Sequence, residues 1–404
     1  MAKIGVMVGQ VLRMTGVGII AIEQVRNLNK LGYDAELIIL KRTKYPVDEY
    51  IKDIPVRYIS DEMNFFERIS FRIPFFSFFS LLYLTYPFYV HRYIKKEQYS
   101  VIVSHETYTC FVAIAIKRKV GIPFLAMVYD PISYILPRVY SKRFLHFFFP
   151  LLIPIAKSKD KAILNKSAGA VTCSGMHEKM IHDLSPKTRC FRIYPGCYPK
   201  KKIARQGRDI IISLTKWDIG KNPKFIVDVL SRIKNKEIKW VVAGNWLQEE
   251  VKRGFISYAK EKGVLDRINI VGRISEKEKE ALLSRAKVLV HPIIEAFGMF
   301  GLEAAGCGCP VIVPKGSGVS ELFVHGVDGF FPKEGDIESF VKYVDLLLGD
   351  EKKSYGISKA AWLIAKKNAW KDNALDLIKV LSKTVGSAVL LKKSNQKNRR
   401  LKNL

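Results

Sequence analysis

Acidic residues are scarce in this chain of 404 residues: 38 Asp and Glu stand against 67 Lys and Arg, a formal charge of +29. The excess is +14 over residues 1–200 and +15 over 201–404, so no single tail carries it. Anionic partners are therefore expected, whether nucleotide phosphates, an acidic membrane or nucleic acid. Cysteine is also sparse. The six present (Cys110, Cys173, Cys190, Cys197, Cys307, Cys309) include no CxxC pair. In a long chain they read as reduced thiols of a cytosolic protein, and Cys307-Gly-Cys309 lacks nearby partners for a metal. No short-period repeat is present, and no secretory signal precedes the first strand pattern, Lys3–Gly9. Paired aspartates of the kind that hold a catalytic divalent ion are missing too. With 48% hydrophobic and 26% charged residues, a disordered, collagenous or coiled-coil chain is excluded.

What is there is an alternation of apolar runs with helical periodicity, the pattern of parallel sheets covered by helices. In the first half the strands are expected at Ile4–Val8, Glu36–Leu40, Val101–Ser104, Phe124–Val128 and Gly169–Thr172. A Gly-containing loop after the first strand leads to a helix through Ala21–Leu31, capped by Gly32. The second half repeats the scheme with Ile210–Leu214, Trp240–Ala243, Ile268–Val271, Val288–His291 and Val311–Val313. Between the halves lies a turn-rich, charged stretch, Tyr194–Lys202. Two domains of roughly 190 residues follow as the simplest division.

Two apolar segments break the alternation. Ile73–Val90 holds eighteen uncharged residues, including Pro74 and Pro87, and Phe144–Ala156 holds thirteen. The first reads as a long core helix and the second is too short to span a bilayer. Phe144–Ala156 is bracketed by seven basic residues between Arg138 and Lys166 against one acid, Asp160. Aromatics flanked by lysines are the composition of a segment lying on an anionic membrane surface.

The most informative stretch is Glu295-Ala-Phe-Gly-Met-Phe-Gly-Leu-Glu303, just past the Val288–His291 strand. A glycine-bearing loop that opens a helix directs backbone N–H groups and the positive helix end at a phosphate. Carboxylates on either side can accept hydrogen bonds from sugar hydroxyls. Taken by spacing alone, two solvated glutamates beside an ordinary helix start would explain it equally well.

The surroundings decide for the first. From Val271-Gly-Arg273 through His291-Pro-Ile-Ile-Glu295, the E-x7-E pair, Glu303–Val311 and Gly316–Glu321 to Gly326–Gly329, the chain resembles the large retaining glycosyltransferase family 4, whose members have the GT-B fold. Lys216-Trp-Asp-Ile-Gly-Lys221 is similar to the family's pair of basic residues after a strand, with lysine where arginine is usual at 216. Ala369–Ala374 resembles its tryptophan-bearing helix. The resemblance implies that Lys216 and Lys221 grip the diphosphate of a nucleotide sugar and that Glu303 holds the ribose. It implies that Gly272 and Arg273 border the base. Glu295, with the backbone N–H groups of Phe297, Gly298, Met299 and Phe300, would hold the transferred sugar. Lysine keeps the charge of arginine but loses its planar fork.

In the first half, His105 closes a strand resembling the one that carries the family's cleft-facing histidine, and orientation of the sugar is its implied role. Tyr129 and Asp130, after the next strand, are candidates for acceptor contact. Gly16 and Gly18 fit a dinucleotide fingerprint, but the first glycine lies well beyond its strand and Lys41-Arg42 stand where a ribose-binding acid would be needed. A dehydrogenase is thereby disfavoured. The family's glycine-rich loop, facing donor phosphates or acceptor, is the better account.

The expectation is therefore an α/β protein of GT-B fold, two Rossmann-like doubly wound domains facing across a cleft. The acceptor domain spans 1–195 and the nucleotide-sugar domain 208–368, with a returning helix over 369–390 and a basic tail over 391–404. The expected activity is retaining, metal-independent glycosyl transfer from a nucleotide-diphosphate sugar, with no cofactor and no nucleic-acid partner. The acceptor is expected to be lipid-linked or a lipid glycan, met by a peripheral protein at the cytoplasmic face of the cell membrane. A soluble acceptor and a non-catalytic nucleotide-sugar-binding subunit are the alternatives.

Overall fold

The computed structural model describes residues 3–11, 16–42, 47–64, 90–140 and 147–387. The Ile73–Val90 run, apart from Val90, and the basic tail lie outside the described residues. The chain divides into two compact units, Met1–Tyr194 with Trp370–Leu404, and Pro195–Ala369. The cut falls inside the turn-rich stretch, and the Trp370–Val385 helix belongs to the first unit.

The first unit is built on a parallel sheet of strands β1 (Lys3–Val8), β2 (Ala35–Ile39), β3 (Val56–Tyr58), β4 (Tyr99–His105), β5 (Phe124–Met127), β6 (Ala170–Thr172) and β7 (Cys190–Arg192). Their spatial order is β3-β2-β1-β4-β5-β6-β7. The central strands are buried almost throughout, which is why they read as continuous apolar runs. Burial of Ile38, Ile102, Phe124 and their neighbours forms the core, each such side chain contributing ~1.5–3 kcal/mol. The three-residue strands β3 and β7 were not expected. Their residues are half-buried or exposed and carry no apolar run.

The second unit holds β8 (Ile210–Leu214), β9 (Lys239–Ala243), β10 (Ile268–Gly272), β11 (Ala286–Val290) and β12 (Val311–Ile312) in the order β10-β9-β8-β11-β12, again all parallel. Trp217, Trp240, Phe255 and Phe340 are the bulk of its core. Both units are thus doubly wound α/β sheets, as in GT-B proteins. In each, strand order reverses once, between β1 and β4 and between β8 and β11. Ligands of such sheets bind at the carboxyl ends of the strands beside that reversal.

One expectation is corrected. Gly16 and Gly18 are not in a loop: the helix begins at Gly16 and runs to Lys30, with Gly16 exposed and Gly18 buried. Tertiary packing outweighs the ~1 kcal/mol that each glycine costs a helix. Of the Phe144–Ala156 run, residues 144–146 lie outside the described residues. From Phe149 it belongs to a helix reaching Lys166, with Pro150 in its first turn and Pro154 inside.

Candidate active site

In the second unit, the β8/β11 reversal brings two loops together. After β8 comes Lys216, exposed, then Trp217, buried and donating its indole N–H to the Ala243 carbonyl at 2.9 Å. Trp217 also stacks on Trp246, their ring centroids 5.7 Å apart, which pins the loop to the end of β9. The approach is so close that a Cβ on Gly244, at φ +118°, would lie 1.7 Å from the Thr215 carbonyl oxygen; only glycine fits. A 3-10 turn, Ile219–Lys221, follows, capped by the Asp218 side chain, which accepts the Lys221 N–H at 3.1 Å. This places the Lys221 ammonium against the carboxylate of Glu295, with which it forms an ion pair of low exposure.

Glu295 itself sits four residues past His291, just beyond the end of β11. Its backbone is fixed on both sides: the N–H donates to Ser317 Oγ at 3.3 Å and the carbonyl accepts from the Gly318 N–H at 3.1 Å. The carboxylate also lies 3.1 Å from His291 Nε2. Burial opposes its charge, yet the hydrogen bond from His291 and the Lys221 ammonium outweigh that and hold the carboxyl at about 2. His291 is fully buried against Phe300, and burial pushes it below the usual imidazole range, so the neutral ring donates through Nε2. Its Nδ1 is buried without a hydrogen-bond partner.

The chain then passes Phe297, buried, and reaches Gly298 at φ +87°, a left-handed value that suits glycine. From there the Met299–Gly306 helix starts. Gly298 has no side chain, so the first-turn N–H groups lack the side-chain acceptor an N-cap usually supplies. Met299 and Phe300 are half-buried. Glu303, one turn in, is held by Lys279 at 2.8 Å, and Lys279 reaches Glu276 at 2.7 Å as well. Burial lowers the Lys279 pKa, but the two carboxylates overcome it and raise it above the ordinary value. Gly272, at φ +62°, ends β10, and its carbonyl accepts the Gly244 N–H at 2.6 Å. Arg273 beyond it is exposed.

Lys216, Lys221, Glu295, Gly298 and Glu303 thus lie on segments that meet at one edge of one sheet. Lys279 was missed. In Glu276–Arg285 its sequence context is a run of alternating charges, which reads as a solvated helix face. Its tie to Glu303 spans 24 positions and leaves no local signal. His291 was noted only as part of a motif, and its contact with Glu295 became visible in the fold.

In the first unit, His105 corrects its expectation. It is fully buried, with Nε2 2.9 Å from Gln24 Oε1 and Nδ1 3.4 Å from the Tyr129 hydroxyl. Gln24 passes the chain to Asn373, which donates to the Tyr194 carbonyl at 2.7 Å. The ring, held neutral with a pKa of about 3 by burial, ties the Gly16–Lys30 and Trp370–Val385 helices to the sheet and has no nitrogen left for a sugar. Tyr129 is buried with it. Asp130 stays exposed, its carboxylate 3.8 Å from His177 Nε2.

Known proteins resemble this chain in sequence and in fold. Residues 198–362 match the family described as "Glycosyl transferases group 1", and residues 14–201 match "Glycosyltransferase Family 4". An uncharacterized glycosyltransferase of Methanocaldococcus jannaschii is 22% identical over 365 residues, covering 88% of this chain and 92% of that protein. The crystal structure of HepE from Anabaena, in complex with UDP and glucose, superposes with a TM-score of 0.70 at 15% identity. The match covers 95% of this chain and all of that one. Sucrose-phosphate synthase from Thermosynechococcus elongatus superposes with a TM-score of 0.70 at 16% identity, over 95% of this chain and 99% of that one.

Proposed function

Since the chain belongs to glycosyltransferase family 4 and has the GT-B fold, we propose that it is a retaining enzyme that transfers sugar from a nucleotide-diphosphate donor to a lipid-linked or lipid acceptor. The observation that carries the donor site is the meeting of Lys221, Glu295 and the open helix start at Gly298 beside the β8/β11 reversal. Cleavage of the sugar–phosphate bond develops negative charge on the leaving diphosphate and positive charge on the sugar ring. Lys216, Lys221 and the first-turn N–H groups of the Met299–Gly306 helix stabilise the former. Glu295 accepts from hydroxyls of the transferred sugar, and Glu303 from the ribose. Gly272 and Arg273 border the base. In this reading the departing phosphate takes the acceptor's proton on the face it leaves, which retains configuration and calls for no metal ion. The UDP complexes of HepE support a nucleotide-sugar donor.

The membrane part of the reading rests on the start of the Phe149–Lys166 helix. Phe147 is 70% exposed and Leu151 65%, with Phe148 beside them, while Lys157, Lys161 and Lys166 are exposed further along. Each basic residue near an anionic surface contributes ~1 kcal/mol, and the aromatic and aliphatic side chains add their own transfer energy. No helix among the described residues is long and apolar enough to cross a membrane.

A thermal-shift panel of UDP-, GDP- and ADP-sugars tests the donor site. A ligand at a hundred times its Kd stabilises by about 2.7 kcal/mol and raises the melting temperature, whereas no shift with any of them refutes the reading. Flotation with anionic liposomes at low salt tests the surface. Wild type is expected to float and Leu151→Asp to remain below, and a wild type that stays below points to a soluble acceptor.

A further inference from the structure

Glu106 is an anomaly in the first unit. Its φ of 72° and ψ of 142° place it next to a region that only glycine enters freely. Among the described residues one other non-glycine has positive φ, Asn222, and it has the left-handed values that asparagine tolerates. Glu106 precedes the Thr107–Val120 helix, yet its side chain makes no cap hydrogen bond there. Its carboxylate turns instead over Gly9 and accepts the Gly9 N–H. A Cβ on Gly9 would stand 3.1 Å from Glu106 Oε2 and 3.1 Å from the Tyr108 ring, so glycine leaves the room that the carboxylate occupies. Among the described residues no lysine or arginine pairs with it, in a protein with 67 of them. Among the described residues, this strained backbone and partly buried carboxylate therefore serve neither the helix nor an ion pair.

Its place in the fold gives it a use. Gly9 follows β1 and Glu106 follows β4, so the two flank the strand-order reversal of the first sheet, the position at which such sheets bind ligands. At the same edge His105 and Tyr129 are closed into the core by their mutual contact. Glu106 is half-buried, and among the described residues its carboxylate takes no side-chain partner. We infer that Glu106 is an acceptor-binding residue, whose carboxylate accepts a hydrogen bond from the sugar or polyol hydroxyl that is to be glycosylated and so positions it. This rests on the glycosyl transfer proposed above. Burial pushes the Glu106 carboxyl up to about 7, against the hydrogen bond from the Gly9 N–H.

The test uses the full chain, the sugar nucleotide that shifts its melting temperature, and octyl glucoside as the hydroxyl-bearing probe. Nucleoside diphosphate release is followed with and without the probe; where octyl glucoside is not turned over, release to water is compared instead. Glu106→Gln and Glu106→Gly are expected to bind the donor within twofold of wild type and to lose at least tenfold in release, with a raised KM for the probe. Glu106→Gly, freed of the strained φ, is expected to melt at or above wild type. Unchanged turnover and KM in both variants overturn the inference, as does a drop in melting temperature with turnover intact, which marks a structural carboxylate. A wild type that binds no sugar nucleotide overturns the donor reading itself, a result distinct from either.

Discussion

Lys221 and Glu295 are both proposed to bind the donor, yet without a ligand they bind each other. Donor phosphate must therefore compete with Glu295 for the ammonium, and removing the charge of Glu295 is expected to tighten binding of a nucleoside diphosphate that carries no sugar. The magnitude follows from the site. Holding the carboxyl at about 2 where 4.5 is ordinary corresponds to ~3 kcal/mol of net stabilisation of its charge. That figure is net of the desolvation that opposes it; for the Lys221 contact alone we take the ~1–2 kcal/mol of a hydrogen bond to a charged group, or roughly 5–30-fold in affinity. Glu295→Gln keeps the shape and the contact with His291. Calorimetric titration with UDP, GDP and ADP is expected to show that gain for whichever of them wild type binds, while sugar transfer falls. The depressed pKa sets the range: the carboxylate is charged throughout pH 5–8, so the gain is constant there and vanishes only as pH falls towards 2 and wild-type Glu295 takes up its proton. Equal or weaker nucleoside diphosphate binding in Glu295→Gln refutes the competition.

Lys216→Ala and Lys221→Ala are each expected to weaken nucleotide-sugar binding by ~1.5–3 kcal/mol, the usual size for a charge-assisted hydrogen bond; unchanged calorimetric affinity in both moves the phosphate site elsewhere. Glu303→Ala is expected to impair donor binding, whereas Glu295→Ala mainly lowers kcat, because only the latter meets the reacting sugar; equal loss of donor affinity in the two, with no separate rate effect, contradicts that division. Gly244→Ala is expected to cost at least ~3 kcal/mol, since its Cβ would overlap the Thr215 carbonyl and its φ is +118°. A melting temperature within a few degrees of wild type contradicts this, the expected fall being roughly 6–12 °C for a unit of this size.

Much of this protein is legible in its sequence because the signals are local. The buried parallel strands β1, β4, β5, β8 and β11 are predominantly apolar runs, as burial on both faces requires. The Glu295–Glu303 loop declares its helix start through Gly298, within nine residues of chain. The short strands β3 and β7 send no such signal, since three half-exposed residues have no period to read.

What only the tertiary structure decided is which side chains meet. Lys221 and Glu295 are 74 residues apart, and β8 and β11 become neighbours because strand order reverses between them. Gln24 and Asn373 are 349 apart, and together with Tyr129 they enclose His105, so a histidine that reads as a site residue is a strut of the core. Glu106 is the inverse case: beside His105 it reads as an unremarkable acid, and its backbone angle and its approach to Gly9 set it apart. Periodicity encodes the burial of a residue by its own element, but contacts between elements depend on sheet order and packing, which are set by the sum of many weak nonlocal terms and leave no mark on any short window of sequence.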